Sequence, residues 1–155
     1  MINYIHVRGI FDELKLNHLF LVTIFAWCLA QLIKVSLGVI RTKKFDFRWF
    51  IGTGGMPSAH AAGASALAIT SGFDYGFNSG IFALAIVFAI VTMFDAQGVR
   101  RSAGSQAKIL NQVMEDIYWK GRIHEMRLKE LIGHTPVEVI VGSIIGILIA
   151  IILQK

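Results

Sequence analysis

Three stretches of the 155-residue chain are apolar over nearly the length that crosses a lipid bilayer. They are residues 19–40, 77–94 and 137–153, and each approaches the roughly 20 apolar residues of a transmembrane helix. A fourth, 57–73, is shorter and rich in Ala, Gly and Ser, which suits a short buried span or a re-entrant helix. Hydrophobic residues make up 55% of the chain, too much for a soluble domain. The sequence predicts an all-α, polytopic transmembrane helical bundle with three to four membrane helices.

The remaining segments are expected to belong to the same domain, which would extend over residues 1–155. Residues 1–18 are mixed in character and predict an N-terminal interfacial segment. Residues 97–132 are rich in charge, and their apolar positions 109, 110, 113 and 117 recur at helical spacing. This pattern predicts an amphipathic helix that lies along the membrane surface or covers the bundle.

The charged connectors indicate which side of the membrane each loop occupies. Basic residues concentrate in 41–48 and 100–129, whereas the turn at 71–78 carries one acid and no base. If 57–73 crosses the bilayer, both basic connectors lie on one side, which the positive-inside rule makes cytoplasmic. We therefore expect a protein of the plasma (inner) membrane. Its net charge of +5 is assigned to these loops and to anionic lipid, and no nucleic-acid partner is expected.

Lys34 is a cation near the predicted cytoplasmic end of the first span. An ionisable residue inside a membrane is costly and is by default a functional candidate. Arg41 follows seven residues later, where the span ends. The alternative is that Lys34 snorkels to the interface as an ordinary basic flank. Both residues are retained as candidate phosphate ligands.

The segment Pro57-Ser58-Ala59-His60 opens the helix of small residues. The first turn of a helix presents amide groups and a positive dipole end, which together favour an anion. Gly55 belongs to a glycine-rich connector that would let the backbone approach a bound oxyanion closely. The alternatives are a flexible connector and a packed or interfacial histidine. Ser58 and His60 are candidate site residues, with Gly55 in a supporting role.

Arg100 and Arg101 stand where the chain leaves the membrane after the span that ends near Asp95. Arginine forks match phosphate oxygens bidentately, so this pair is a second candidate set of phosphate ligands. The alternative is a basic membrane flank in which Asp95 caps the helix or pairs locally. Asp95 and Lys129 are retained as possible supporting residues.

His134 stands four residues before Glu138, at the predicted cytoplasmic end of the last span. On a helix this spacing places both side chains on one face, so Glu138 could orient His134 as a nucleophile. Thr135-Pro136-Val137-Glu138 also fits a capping box, in which Glu138 serves the helix terminus instead. The two roles compete for one carboxylate.

Together these motifs resemble the type 2 phosphatidic acid phosphatase superfamily, which includes the vanadium-dependent haloperoxidases, and above all its divergent branch of small membrane proteins. Lys34-x6-Arg41 is similar to the first superfamily motif, Pro57-Ser58-Ala59-His60 to the second, and His134-x3-Glu138 to the third. The resemblance covers nearly the whole chain. Three further strings mark the branch: Gly54-Gly55-Met56-Pro57-Ser58, Asp95-x2-Gly98-Val99-Arg100-Arg101 and Lys129-Glu130-Leu131-x-Gly133-His134.

The resemblance implies a role for each matching residue. His134 would attack phosphorus to give a phosphohistidine, Glu138 would orient it, and His60 would protonate the leaving alcohol. Lys34, Arg41, Ser58 and an arginine would hold the phosphate.

The chain departs from the superfamily pattern at several positions. Thr42 replaces a proline, Ala59 a glycine and Glu138 an aspartate. Leu128 occupies the position of the arginine in the third motif. Arg100, Arg101, Arg127 or Lys129 could supply that missing cation, and Arg100 and Arg101 are favoured because they leave the membrane beside the site.

The expected function is a metal-independent phosphomonoesterase or pyrophosphatase that acts on a membrane lipid phosphate or a prenyl phosphate, with no cofactor. The alternatives are a non-catalytic membrane protein that binds a phosphorylated lipid or anion through the same basic site, and a transporter or scaffold. Because relatives have more spans, a homodimer that completes the bundle is also considered.

Overall fold

The computed structural model describes residues 12–44, 55–118 and 133–154, and all regular structure in these ranges is helical. A short helical turn over 12–16 precedes the first long helix. The long helices are α1 His18–Thr42, α2 Ala59–Tyr75, α3 Gly80–Phe94, α4 Arg100–Tyr118 and α5 Pro136–Ile152. A π-helical segment, Asp95–Val99, joins α3 to α4. The expectations placed on residues 1–11, 45–54 and 119–132 lie outside the described ranges.

Side-chain caps determine where these helices begin. The side chain of Asn17 accepts a hydrogen bond from the amide of Phe20 at the start of α1, at 3.0 Å. Ser58 caps α2, so this helix begins at Ala59 rather than at Pro57 as the proline position predicts. The capping box expected around Thr135 is confirmed, with Pro136 as the first residue of α5. Each cap satisfies an amide that the helix leaves unpaired.

Helix α2 is the centre of the bundle and packs against α1, α3 and α5. Its small residues are buried around nearly its whole circumference, which allows its neighbours to approach closely. Ala66 packs with Val22 and Ala26 of α1 and with Ile149 of α5. On the other face of α2, two alanines of α2 pack against two of α3: Ala64, Ala68, Ala85 and Ala89.

The closest approach in the bundle is between α5 and α2. A Cβ atom added at Gly142 would collide with the carbonyl oxygen of Ser58, and one at Gly146 would collide with that of Ala62. Both glycines are buried within this single chain. Of the two packing arrangements that a Gly-x-x-x-Gly pattern allows, within a monomer or across a dimer, the structure therefore has the first.

The outer surfaces of the helices are apolar and exposed, as expected for helices in contact with lipid. Leu84 and Phe94 of α3 are 75% and 72% exposed, and Ile152 of α5 is 75% exposed. Two helical segments, His18–Thr42 and Gly80–Gly98, are long and apolar enough to cross a membrane. Helix α5 is apolar but shorter, at 17 residues, and α2 is mostly buried. The count of three to four spans therefore stays a prediction.

Hydrogen bonds fix the relative direction of the helices. The amide of Ser58, before α2, donates to the carbonyl of Glu138 in α5, and the amide of His134 donates to the carbonyl of Ala96 after α3. At the opposite end, His18 at the start of α1 contacts Asp74 near the end of α2. Helices α2 and α5 therefore run parallel, and α1 and α3 run antiparallel to them.

We predict that Gly146→Ala destabilises the bundle by about 1–3 kcal/mol, because the added methyl group forces α5 away from the backbone of α2. Thermal unfolding of the protein in detergent measures the effect. Gly80→Ala is the matched control, since a Cβ at the start of α3 has no neighbour within 4 Å. Equal melting temperatures for the two variants would contradict the close packing.

Candidate active site

His134 lies two residues before α5 begins and is only 2% exposed. Its Nδ1 is 3.0 Å from Oε2 of Glu138, although the histidine stands outside the helix that carries the glutamate. Its backbone amide donates to the carbonyl of Ala96, at 2.9 Å. The ring is therefore held from both α5 and the π-helical segment after α3.

A single oxygen of Glu138 both caps the start of α5 and contacts His134, the two roles that compete in the sequence analysis. Oε2 accepts from the amide of Thr135 at 3.1 Å and also lies 3.0 Å from Nδ1 of His134. Because an ionised carboxylate only accepts hydrogen bonds, this contact places a proton on Nδ1. In neutral His134, Nε2 then carries the lone pair, which is the form that a nucleophilic histidine requires.

Ser58 and His60 join this pair from the start of α2. Ser58 is fully buried, and its Oγ accepts from the amide of Ala61 at 3.3 Å. The ring of His60 meets the ring of His134 edge-on, with centroids 6.1 Å apart. The two histidines that the sequence predicts as catalytic are thus neighbours.

Lys34 and Gly55 form the third side of the site. Gly55 has φ +87°, and a Cβ added there would lie 3.3 Å from Cδ of Lys34. Lys34 is half-buried, and the carboxylate of Glu138 interacts with it electrostatically. The structure therefore brings Lys34, Glu138 and Gly55 together beside the two histidines.

Of the predicted arginines, the structure describes the side chain of Arg41 alone. Arg41 lies in the last turn of α1, two turns beyond Lys34 on the same face, and its side chain is exposed. Asp95 is half-buried at the first position of the π-helical segment. Arg100 begins α4, but the side chains of Arg100 and Arg101 lie outside the described part of the structure, as does Lys129.

Sequence reasoning missed the backbone contributions to this site. The carbonyl of Ala96, a buried residue of the π-helical segment, fixes His134, and π-helical turns are frequent at functional sites. Nothing in the side chains of 95–99 signals such a turn. Gln31 is 5% exposed on α1, one turn before Lys34, and is a further buried polar residue on this helix.

The arrangement is suited to binding an anion. An ammonium group, the N-terminus of α2 and two imidazoles converge on one end of the bundle, which is the composition of a phosphate site. Among the described residues, no group of three His, Cys, Asp or Glu side chains could hold a metal ion.

The sequence model of the divergent PAP2 family matches residues 15–149, which include every site residue named above. The chain belongs to this family. The chain is also 40% identical over 152 residues to the uncharacterized membrane protein YuiD of Bacillus subtilis (strain 168), covering 91% of this chain and 96% of that protein. No solved structure matches the chain.

Membership of the divergent PAP2 family agrees with the resemblance found in the sequence motifs. The relationship to a membrane protein along nearly its full length, together with the apolar outer helices, identifies this chain as a membrane protein. The site residues thus belong to a PAP2-like protein embedded in lipid.

We predict that Glu138→Ala lowers the free energy of unfolding by about 1–2 kcal/mol, because it removes the acceptor of both Thr135 and the buried His134. Glu138→Gln is the matched control, since its amide oxygen can still accept the bond from Thr135. It should lose less than half as much. Thermal unfolding in detergent compares them, and equal losses would argue against the shared-oxygen geometry.

Proposed function

We propose that this protein is a metal-independent phosphatase that removes phosphate from a membrane lipid or a prenyl phosphate. The observation that carries the proposal is the bond from Nδ1 of His134 to Glu138 at 3.0 Å, since it favours the tautomer with a nucleophilic Nε2. The presence of His60 next to this ring supports the proposal, because the leaving group needs a proton donor.

The proposed reaction has two steps, and each conserves atoms and protons. Nε2 of His134 attacks phosphorus, the bond from phosphorus to the alcohol oxygen breaks, and protonated His60 gives its proton to that oxygen. Water then attacks the phosphohistidine while His60 takes a proton from it, which releases inorganic phosphate and restores both rings. Glu138 stabilises the positive charge that His134 carries in the intermediate.

Phosphate oxygens would be bound by groups from α1 and α2. Lys34 supplies a cation, and the first turn of α2 supplies its positive dipole end. Because the Oγ of Ser58 accepts from the amide of Ala61, its hydroxyl proton remains available to donate to phosphate. Arg100 and Arg101 are proposed as the further cations that relatives supply from the third motif.

The substrate is proposed to be a lipid because the site lies at one end of a lipid-embedded bundle, where headgroups reside. Helix α4 leads away from this end, and its apolar residues Ile109, Leu110 and Val113 are exposed. An amphipathic helix of this kind binds the membrane interface. The concentration of basic residues in the connectors 41–48 and 100–129 supports our assignment of this end to the cytoplasmic side of the plasma membrane.

We predict that the purified protein releases phosphate from lipid phosphates presented in mixed micelles, and that release persists in EDTA because no metal takes part. His134→Ala should abolish release, since the nucleophile is lost. Glu138→Gln should lower the rate by a factor on the order of 10²–10⁴, because the ring loses the carboxylate that orients it.

Cys28→Ser is the control for this experiment, because Cys28 is exposed on α1 and plays no part in the proposed site. It should retain the full rate. Loss of release in EDTA would rule out the metal-independent mechanism. Binding of lipid phosphate without any turnover, unchanged in His134→Ala, would favour the alternative of a non-catalytic binding protein.

We also predict that orthovanadate inhibits phosphate release in competition with substrate. Vanadate adopts the trigonal bipyramidal geometry of the phosphoryl transition state and would bond to Nε2 of His134. The measurement is the apparent KM at rising vanadate, which should increase while kcat stays constant. A fall in kcat at constant KM would place vanadate outside the site.

A further inference from the structure

The segment from Pro57 to Gly72, which holds most of α2, is buried except at three positions. His60, Leu67 and Ile69 are the residues of this segment that stay partly exposed. Ile69 packs against the cluster that α2 forms with α1 and α5, whereas Leu67 packs against the cluster that α2 forms with α3. His60 and Leu67 are separated by two turns and share one face of the helix. Along that face, α2 is therefore accessible from outside the bundle in a strip that begins at His60.

This strip lies in a gap between α1 and α3. Both helices pack against α2, and within the described ranges they share no extensive contact with each other. Gly63 lies between His60 and Leu67 and faces Trp27 of α1, because a Cβ added at this glycine would be 3.5 Å from Cβ and 3.7 Å from Cδ1 of the tryptophan. Trp27 itself is 41% exposed. The gap is therefore a groove with α2 as its floor, Trp27 on one wall and α3 on the other.

The groove has the chemistry of a site for a hydrocarbon chain. Beyond His60 its described floor and wall residues, Gly63, Leu67 and Trp27, carry no charge and are apolar apart from the indole nitrogen. The helix rises about 10 Å from His60 to Leu67, at about 1.5 Å per residue. A glycine in the floor lets a bound chain approach the α2 backbone closely. Since the groove is open toward lipid, a chain reaches it from the side of the bundle without crossing water.

The groove is continuous with the candidate active site. The ring of His60, at its end, meets the ring of His134 with centroids 6.1 Å apart. In the proposed reaction His60 gives its proton to the oxygen of the leaving alcohol, so the first carbon of that alcohol lies beside His60. The rest of the alcohol has to extend away from the phosphate, and the groove is an apolar path that begins at this point.

We propose that the groove lined by Gly63, Trp27 and Leu67 binds the hydrocarbon chain of the substrate's alcohol. The inference rests on the proposed phosphatase reaction for the position of the leaving oxygen. A chain that reaches Leu67 contacts the whole groove, whereas a chain that ends beside His60 contacts none of it. Because the chain is held equally in the ground state and in the transition state, these contacts lower KM and do not change kcat.

The first test compares phosphate release from dodecyl phosphate in mixed micelles with release from ethyl phosphate, whose leaving alcohol is chemically similar but does not enter the groove. Gly63→Leu places a side chain in the floor, so the ratio of kcat/KM for dodecyl phosphate to that for ethyl phosphate should fall on the order of tenfold. The loss should appear as a higher KM for dodecyl phosphate. Trp27→Ala removes a wall and adds no volume, and it should lower the same ratio.

Phe88→Ala is the matched control for Trp27→Ala, since Phe88 is an aromatic residue of α3 that is 55% exposed on the outer surface. It should keep the wild-type ratio. A wild-type ratio in both Gly63→Leu and Trp27→Ala would overturn the proposal. An equal loss for the two substrates would also overturn it, because it would show damage to the phosphate site instead of loss of chain binding.

A second measurement does not depend on turnover. Dodecylphosphonate, whose bond from carbon to phosphorus the proposed reaction does not cleave, carries a diazirine at the middle of its chain. After irradiation, peptide mapping by mass spectrometry should find more label on Trp27 or Leu67 than on Phe88. Dodecanol with the same diazirine lacks the phosphonate and should show no such preference.

The labelling separates the failure of this proposal from the failure of the proposed function. The same labelling pattern for the phosphonate and the alcohol would overturn the groove, even if the protein releases phosphate. Labelling of the groove by the phosphonate alone, in a protein that releases no phosphate from any substrate, would refute the phosphatase and support the groove as the chain site of a lipid-phosphate-binding protein.

Discussion

The contact that the rest of this structure depends on is the approach of the α5 backbone to the α2 backbone. At Gly142 and Gly146 the two helices meet without any side chain between them, against the carbonyls of Ser58 and Ala62. Ser58 is itself the cap of α2, and its amide donates to Glu138 on α5. The same contact that packs the bundle therefore sets the distance between the segment that carries Ser58 and the segment that carries His134.

A core of small residues is a consequence of folding in lipid. Apolar side chains gain little by leaving a hydrocarbon solvent, so the bundle is held by close backbone contact and by hydrogen bonds rather than by burial of large groups. The described core agrees with this: alanine is its commonest residue, and the larger apolar side chains, such as Leu84 and Phe94, point outward. For this reason composition and pattern alone predicted the helical fold and the packing role of the small residues of α2.

What local sequence patterns left undecided are contacts between residues that are far apart in the chain. Thr135, Pro136 and Glu138 predicted the start of α5 because capping depends on neighbours in sequence. The amide of His134 donates to the carbonyl of Ala96, and the ring of His134 contacts the ring of His60. These residues are far apart in the chain, so no local pattern encodes the contacts. The position of Pro57 misplaced the start of α2 by two residues, because Ser58 is the better cap.

Three of the departures from the superfamily pattern, at Glu138, Ala59 and Thr42, are explained by the geometry of the described residues. His134 stands two residues before α5, so a carboxylate on the first turn has to reach back to it, and the capping box at that position favours a glutamate over the shorter aspartate. Ala59, in place of a glycine, packs its methyl group in a buried cluster with Ala30 and Ala62. Thr42, in place of a proline, bonds to the carbonyl of Gly38 at 3.0 Å and continues α1 to its end. Each replacement makes a contact of its own at the candidate site or in the helix that leads to it.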